Sequence, residues 1–312
     1  MNWFGSSRKE AGWLAVALDE GRMSYVLGRY APAGKSTIAR YGAAEFATSS
    51  HAAERLAKDL HADRYNCTTL LRTGEYQMLL LEAPAVPAAE LKSAIRWRVK
   101  DMLDYHVDDA TMDVLDIPPE SDLPGRSHSM YAIAARNEVI RGRIKAFEEA
   151  HIPLGVIDIP ETAQRNISAL HETEGRGAAL LYFHQDFGLL TITWRGELYL
   201  SRRIDIGLAQ IQGAAPEARE QLFGRVVLEL QRSFDHFERQ FHHIPVARLL
   251  LGPEPEDSGL YAHLEGNMDI AVERVDLLAR LGFNGAGAPD STQQWQLFHL
   301  IGASLRHETK AL

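Results

Sequence analysis

Between residues 177 and 207 the chain carries three neighbouring stretches in which apolar positions dominate or alternate with polar ones at a period of two: 180–183, 189–194 and 197–206. The last two meet at Arg195-Gly196, a turn pair, so the pattern predicts a three-stranded meander. The chain opens in the same way. Strands are predicted over 13–18, 23–29 and 37–46, separated by Asp19-Glu20-Gly21 and by the Pro32 and Gly34 turn region. Each meander is followed by helical periodicity, which predicts two halves that start alike.

Between the meanders, apolar Ala53, Leu56, Ala57 and Leu60 fall on one face of a helix predicted over 51–61, and strands are expected over 66–71 and 75–81. Pro87 opens a helix to about 103, with Leu91, Ile95, Val99 and Met102 at helical spacing and Lys92, Arg96 and Lys100 on another face. The acidic run from Asp101 to Asp122 that follows contains no Lys or Arg. It reads as loop charges on a solvated face, paired in part with the basic stripe, in preference to a charged rim for a partner. A strand over 127–135 leads to Asn137, a candidate N-cap for a helix that buries Ile140, Ile144 and Phe147. A strand over 154–159 and a helix over 161–171 reach Glu174-Gly175-Arg176-Gly177, the expected boundary between halves.

Residues 217–241 form the longest predicted helix, with Phe223, Val226, Leu230, Phe234, Phe237 and Phe241 as a packing stripe. Strands over 249–251 and 270–275, a Gly/Ala loop over 284–289 and a helix over 292–305 complete the reading. Gly34-Lys35-Ser36-Thr37 resembles the end of a phosphate loop, but a strand follows where a helix N-terminus is needed, so it reads as a hairpin turn. His236, His242 and His243 lack the spacing of metal ligands and read as surface histidines.

Composition narrows the function classes. The length of 312 residues fits two domains. A formal net charge of -9 argues against a general nucleic-acid binder, which needs a basic face. The single cysteine, Cys67, excludes an intramolecular disulfide and a multi-thiolate metal site, and fits a reducing compartment. No run of 18 apolar residues spans a bilayer, and the opening MNWFGSSRKE lacks the apolar core of a signal peptide. Its Trp3 and Phe4 beside Arg8 and Lys9 read as a short tail rather than an interfacial anchor.

Four stretches carry a family resemblance: EYQMLLLEAPAVPAAELKSAIRWRVKDML, YAIAARNEVIRGRIKAFEEAHIPLGVIDIP, the strand pair ending LSRRIDIG, and VVLELQRSFDHFERQ. With Ala94-Ile95-Arg96-Trp97 after strand-Pro-helix, the chain resembles the PilM/MshI group of bacterial actin-like proteins, which are similar to the cytoplasmic part of GspL and to FtsA. The resemblance implies an α/β, actin-like, ribonuclease-H-like fold of two lobes: a first lobe over 1–174 with an FtsA-type inserted subdomain at about 75–151, and a second over 175–312.

An actin-like cleft implies ATP and Mg²⁺ held between strand-turn-strand loops rich in glycine and small hydroxyl residues. Here Asp19 and Gly21 match the first loop's D-x-G, but Arg22, Met23 and Val26 depart from it, and Met23 is expected to crowd the turn. The second loop's aspartate and glycine fall on Tyr182 and His184, or in another register on Asp186 and Gly188 followed by two leucines. In the adenosine loop Gly252 survives, followed by Pro253 and by Glu254, whose charge is expected to face phosphate. These departures point to a degenerate pseudo-ATPase with no catalytic residue and no cofactor. The rival expectation is a true actin-like ATPase acting as a switch or filament former.

The resemblance further implies a cytoplasmic platform component of type IV pilus assembly of the mannose-sensitive haemagglutinin kind, or of a related secretion machine. It would lie peripheral to the inner membrane through a partner: the N-terminal cytoplasmic tail of a PilN-like single-span protein. The groove for that tail is expected between the first lobe's main and inserted subdomains, near Ile95, Trp97, Val99 and Tyr131. The hexameric assembly ATPase is a second implied partner.

Overall fold

The computed structural model describes residues 9–19, 21–45, 50–119, 129–285 and 287–307. An antiparallel meander, β1 (Trp13–Asp19), β2 (Arg22–Arg29) and β3 (Thr37–Glu45), opens the chain, followed by helix α1 (Ser50–Asp59) and strand β4 (Asn66–Leu70), parallel to β1. An excursion then forms β5 (Tyr76–Glu82), α2 (Ala88–Val99), β6 (Ala110–Asp116) and β7 (Ser129–Arg136). Helix α3 (Asn137–Glu149) returns the chain to β8 (Leu154–Asp158), parallel to β4, and α4 (Pro160–Ala169) leads to a second meander, β9 (Gly177–Phe183), β10 (Gly188–Trp194) and β11 (Glu197–Ile204). Then come α5 (Leu208–Gly213), α6 (Pro216–Gln240), β12 (Val246–Leu251), α7 (Leu260–Asn267), β13 (Ala271–Arg274), α8 (Leu277–Arg280), β14 (Gly282–Phe283) and α9 (Ser291–Ser304).

Three sheets result, ordered β14-β3-β2-β1-β4-β8, β11-β10-β9-β12-β13 and β5-β7-β6. The alternation along each strand decides the layering. On the first sheet Leu14, Val16, Met23 and Leu27 pack with Ala53 and Ala57 of α1, with Leu60 just after it, and with Phe147 of α3. Its other face, with Ala15, Val26 and Ile38, meets Ala163 and Ile167 of α4 and Leu297, Phe298 and Ile301 of α9. The same two helices also cover Ala178, Leu180, Tyr182 and Leu250 of the second sheet, whose far face packs on α6 and α7. Helices α4 and α9 are therefore a shared layer between two sheets. The fold is actin-like. Although α9 and β14 come late in the chain, they lie on the first sheet, β14 pairing with β3.

The inserted sheet buries Ile95, Val99, Val114, Met130 and Ala132 beneath α2. Its opposite face does not stand alone: Tyr131 and Ile117 belong to the core between the second sheet, α6 and α7, with Met78, Leu115 and Ile133 packed against it. The Tyr131 hydroxyl donates to the Tyr199 carbonyl and accepts from the Ser201 N–H, 3.3 Å each, on the open edge of β11. One phenol thus satisfies two edge groups that would otherwise be stranded against apolar surface.

Several expectations change. Strand β6 lies inside the acidic run expected to be loop, with Ala110 and Val114 turned inward and Thr111 and Asp113 outward. The expected charge pairing holds: Lys92 meets Asp113 at 3.8 Å and Arg96 meets Asp108 at 3.6 Å. Asn137 does not cap α3, because its side chain is engaged by Thr111 Oγ1 and the Asp108 carbonyl. Ile144 and Met102 are exposed, and α2 ends at Val99. Helices α5 and α7 carry no strong sequence signal, being short. Phe46 and residues 127–128, expected at strand ends, lie outside the described residues.

Replacing Tyr131 by Phe keeps the ring but leaves both β11 groups unpaired. The expected loss is about 1–3 kcal/mol, read as a lower urea midpoint with unchanged slope; an unchanged midpoint contradicts the edge-capping role.

Candidate functional site

The first meander turn lies against the end of β4, and the second against α9 and the loop after β12, and in each the chain's own groups bond or pack against one another. Asp19 ends β1, and Gly21 makes the turn at φ 76°. The Asp19 carboxylate accepts from the Arg72 guanidinium. Arg72 follows β4, and its backbone N–H donates to Glu75 at 2.7 Å, while Glu75 also pairs with Arg143 at 2.6 Å. Arg22 turns away to Gln296 of α9 at 3.0 Å. Met23 does not crowd the turn, because β2 aims it into the core behind the sheet, where it is fully buried. Val26 is buried under α9 and brings no charge.

The second turn is packed with rings. Tyr182 stacks on Phe298 with centroids 4.5 Å apart, and its hydroxyl donates to the Trp295 carbonyl at 2.7 Å. His184 stacks between Phe187 at 4.3 Å and His299 at 4.9 Å. The Trp295 indole donates to the Phe183 carbonyl at 2.8 Å, and His299 Nε2 lies 3.2 Å from Gln164 Oε1. The Gln164 amide in turn donates to the carbonyls of Leu180 and Leu189 and to Thr191 Oγ1. The N–H groups opening α5 are spent as well: Leu208 donates to the His184 carbonyl at 2.8 Å and Ala209 to that of Gln185 at 3.0 Å. These two amides are therefore already bonded. In the alternative register Asp186 is exposed at the turn and Gly188 is buried.

In the third loop, Gly252 has a local reason to be glycine: a Cβ there would lie 2.8 Å from Cδ2 of the Tyr182 ring. Glu254 does not face the cleft as expected. It is buried, accepting from the Ser258 hydroxyl at 2.7 Å with Arg274 at 3.8 Å, and burial pushes its carboxyl above the usual range. The three residues matched to nucleotide loops thus have internal partners or neighbours: Asp19 in Arg72, Gly21 in its hairpin, Gly252 in Tyr182. Among the described residues no group of three metal-ligating side chains gathers.

Of the four residues expected to line a partner groove, three do not reach the surface. Ile95 and Val99 lie on the inner face of α2, and Tyr131 is held at β11. Trp97 is 72% exposed, with the Lys100 ammonium 4.7 Å above its ring. Helical spacing locates a stripe but does not say which stripe faces the core. Sequence reasoning missed Arg72, Gln164, Trp295 and His299, each of which has a partner more than fifty residues away along the chain.

Burial drives the His184 pKa down to about 4, with Arg203 adding repulsion, and burial also lowers His299 well below the ordinary histidine range. Both rings are thus held neutral.

No protein-family model matches the chain, and no curated protein matches it in sequence. Solved structures do. A chain of the PilM–PilN type IV pilus biogenesis complex superposes with a TM-score of 0.69 at 17% identity, over 96% of this chain and 98% of that one. The cytoplasmic domain of EpsL, an inner-membrane component of the type II secretion system of Vibrio cholerae, gives 0.49 at 13% identity, over 94% of each chain. A Bacteroides thetaiotaomicron protein with an actin-like ATPase fold gives 0.45 at 10% identity, over 87% of this chain and 93% of that one. At 17% identity the likeness to the chain of the PilM–PilN complex establishes the fold alone.

Two outcomes follow. An imidazole neutral in the fold and protonated when unfolded makes stability fall as pH drops from about 6.5 towards about 4. Replacing His184 by Phe should flatten that fall in urea midpoints taken across the window; an unchanged slope contradicts a neutral buried pair. Ile95→Ala should cost about 2–5 kcal/mol, whereas Trp97→Ala should stay within about 0.5 kcal/mol of the parent. Equal effects in thermal melts contradict the assignment of core and surface.

Proposed function

We propose that the chain is a platform protein of type IV pilus assembly, of the MshI-like, mannose-sensitive haemagglutinin kind, or of a related secretion machine. It acts by binding the N-terminal cytoplasmic tail of a PilN-like inner-membrane protein, and reaches the membrane through that partner. The observation that carries this reading is the superposition on the PilM–PilN chain over nearly the whole of both chains. Among the described residues no helix is long and apolar enough to cross a membrane, which is compatible with attachment through a partner. The assembly ATPase is the second partner in this reading.

The same proposal makes the cleft a pseudo-ATPase site. Supporting it are the Arg72 counter-ion on Asp19, the ring stack at Tyr182 and His184, the spent amides of Leu208 and Ala209, and the inward Glu254. No residue is given a catalytic role, and no metal or nucleotide step is invoked. A nucleotide-dependent switch or filament is the rival reading, favoured only by Asp19 and Gly21 keeping their places at the first turn.

Recruitment distinguishes the platform reading. The full chain should sediment with inner-membrane vesicles from its host, and should remain in the supernatant with vesicles from a strain in which the PilN-like tail is deleted. Sedimentation that ignores the tail contradicts it.

A further inference from the structure

Helix α6 packs Phe223, Val226, Leu230 and Phe237 of its inner side into the core of the second lobe. On its outer side Ala218, Gln221, Arg225 and Leu228 are exposed at spacings of three, four and three, the pattern of a coiled-coil seam. At one end of this seam Leu228 stands out as a knob, 45% exposed. At the other end lies a hole. It is a groove of about 490 Å³ between α5 and α6, bordered by Ala209, Gly213, Ala214 and Ala218, with buried Leu222 at its base.

Two residues between knob and hole are unexplained by the chain's own packing. Gly224 sits in the middle of α6, where glycine weakens a helix, and nothing lies within 4 Å of the place its Cβ would take. Its small size serves no contact inside the chain. Arg225 makes no hydrogen bond or ion pair among the described residues, whereas the other three arginines of α6 are engaged. Arg219 donates to the Ile211 and Ala214 carbonyls, Arg232 pairs with Glu229, and Arg239 donates to the Asp235 carbonyl.

We infer that α6 packs antiparallel against α6 of a second copy of this chain about a two-fold axis, each Leu228 seating in the other copy's groove. A two-fold axis across the helix satisfies both knobs and both holes at once. Setting Leu228 opposite Ala218 of the second copy also sets Arg225 opposite Gln221 of that copy, whose amide oxygen accepts from the guanidinium. The four seam positions thus pair among themselves with none left over. Gly224 then falls beside the axis, where the two backbones approach most closely. The seam positions carry no acidic residue, on a chain of net charge -9 whose copies otherwise repel. Such a contact closes on itself, so it yields a pair and not a filament. A seam about 15 Å long falls short of the roughly 1,200 Å² of a stable interface, so the pair belongs to the weak class that forms at raised protein concentration. The inference does not depend on the function proposed above.

Sedimentation of the purified full chain over about a hundredfold range of concentration should show a monomer–dimer equilibrium. Leu228→Lys should weaken the dimer at least tenfold, whereas Ile144→Lys, at a similarly exposed residue on α3, should leave it within about twofold. Gly224→Leu should also weaken it at least tenfold, yet raise the melting temperature of the monomer, because a better helix former there meets nothing in its own chain. Cysteines read the register. Ala218→Cys and Leu228→Cys combined in one chain should give disulfide-linked dimers on oxidation. Either change alone should not, because identical positions stand about 15 Å apart along the helices, beyond the ~7 Å reach of a disulfide. The chain's own thiol, Cys67, is buried. A chain that stays monomeric at every concentration overturns the inference. So does a dimer that survives Leu228→Lys and Gly224→Leu, a double variant that fails to link, or a single variant that links as readily as the double.

Discussion

The close crossing of α4 and α9 is the constraint on which the rest of the molecule depends. A Cβ at Gly302 would lie 2.0 Å from the Ala163 carbonyl oxygen, so the two helices touch backbone to backbone, and Asn166 seals the crossing by donating to the Gly302 carbonyl at 3.0 Å. Only at that separation can one helical layer serve both sheets, with Ala163, Ile167, Leu297, Phe298 and Ile301 in one cluster with Ala15, Val26 and Ile38 of the first sheet and Ala178, Leu180 and Tyr182 of the second. The site follows from the same crossing. Because α9 sits this deep, Trp295, Phe298 and His299 reach the second meander's turn and pack around Tyr182 and His184.

At the two meander turns the chain's own groups meet one another. Charge is met by charge at Asp19 and Arg72, aromatic surface by aromatic surface at Tyr182 and Phe298, and amide by carbonyl at Leu208 and His184. Gln164 ties these together, with its amide bonded to two strands and its carbonyl beside His299. A buried network satisfied to this degree rigidifies its surroundings. The inserted subdomain adds a further tie, since Tyr131 holds it to β11 and Tyr76 holds it to α4.

Much of this frame was legible in the sequence. Both meanders, the Phe-rich stripe of α6 and the closing helix follow directly from periods of two and 3.6, because each buries one face against a large apolar surface. Strand β6 was not, since its outward aspartates mimic a loop, and α5 and α7 are too short to show a stripe. At the site, the departures from the expected loop pattern could be read residue by residue, but the internal partners of those residues could not. Arg72, Gln164 and His299 act through partners distant in sequence, and a single chain carries no signal for such pairs. Ile95, Val99 and Tyr131 failed as partner residues because apolar periodicity looks the same whether a face meets its own core or another protein.

Equilibrium dialysis of the purified chain against Mg-ATP up to about 1 mM tests the proposed pseudo-ATPase reading most directly, because a ligand present at a hundred times its dissociation constant leaves a specific site essentially full. The account predicts no saturable binding across that range. One nucleotide bound per chain, lost in Asp19→Ala, would contradict it and restore the cleft to nucleotide chemistry.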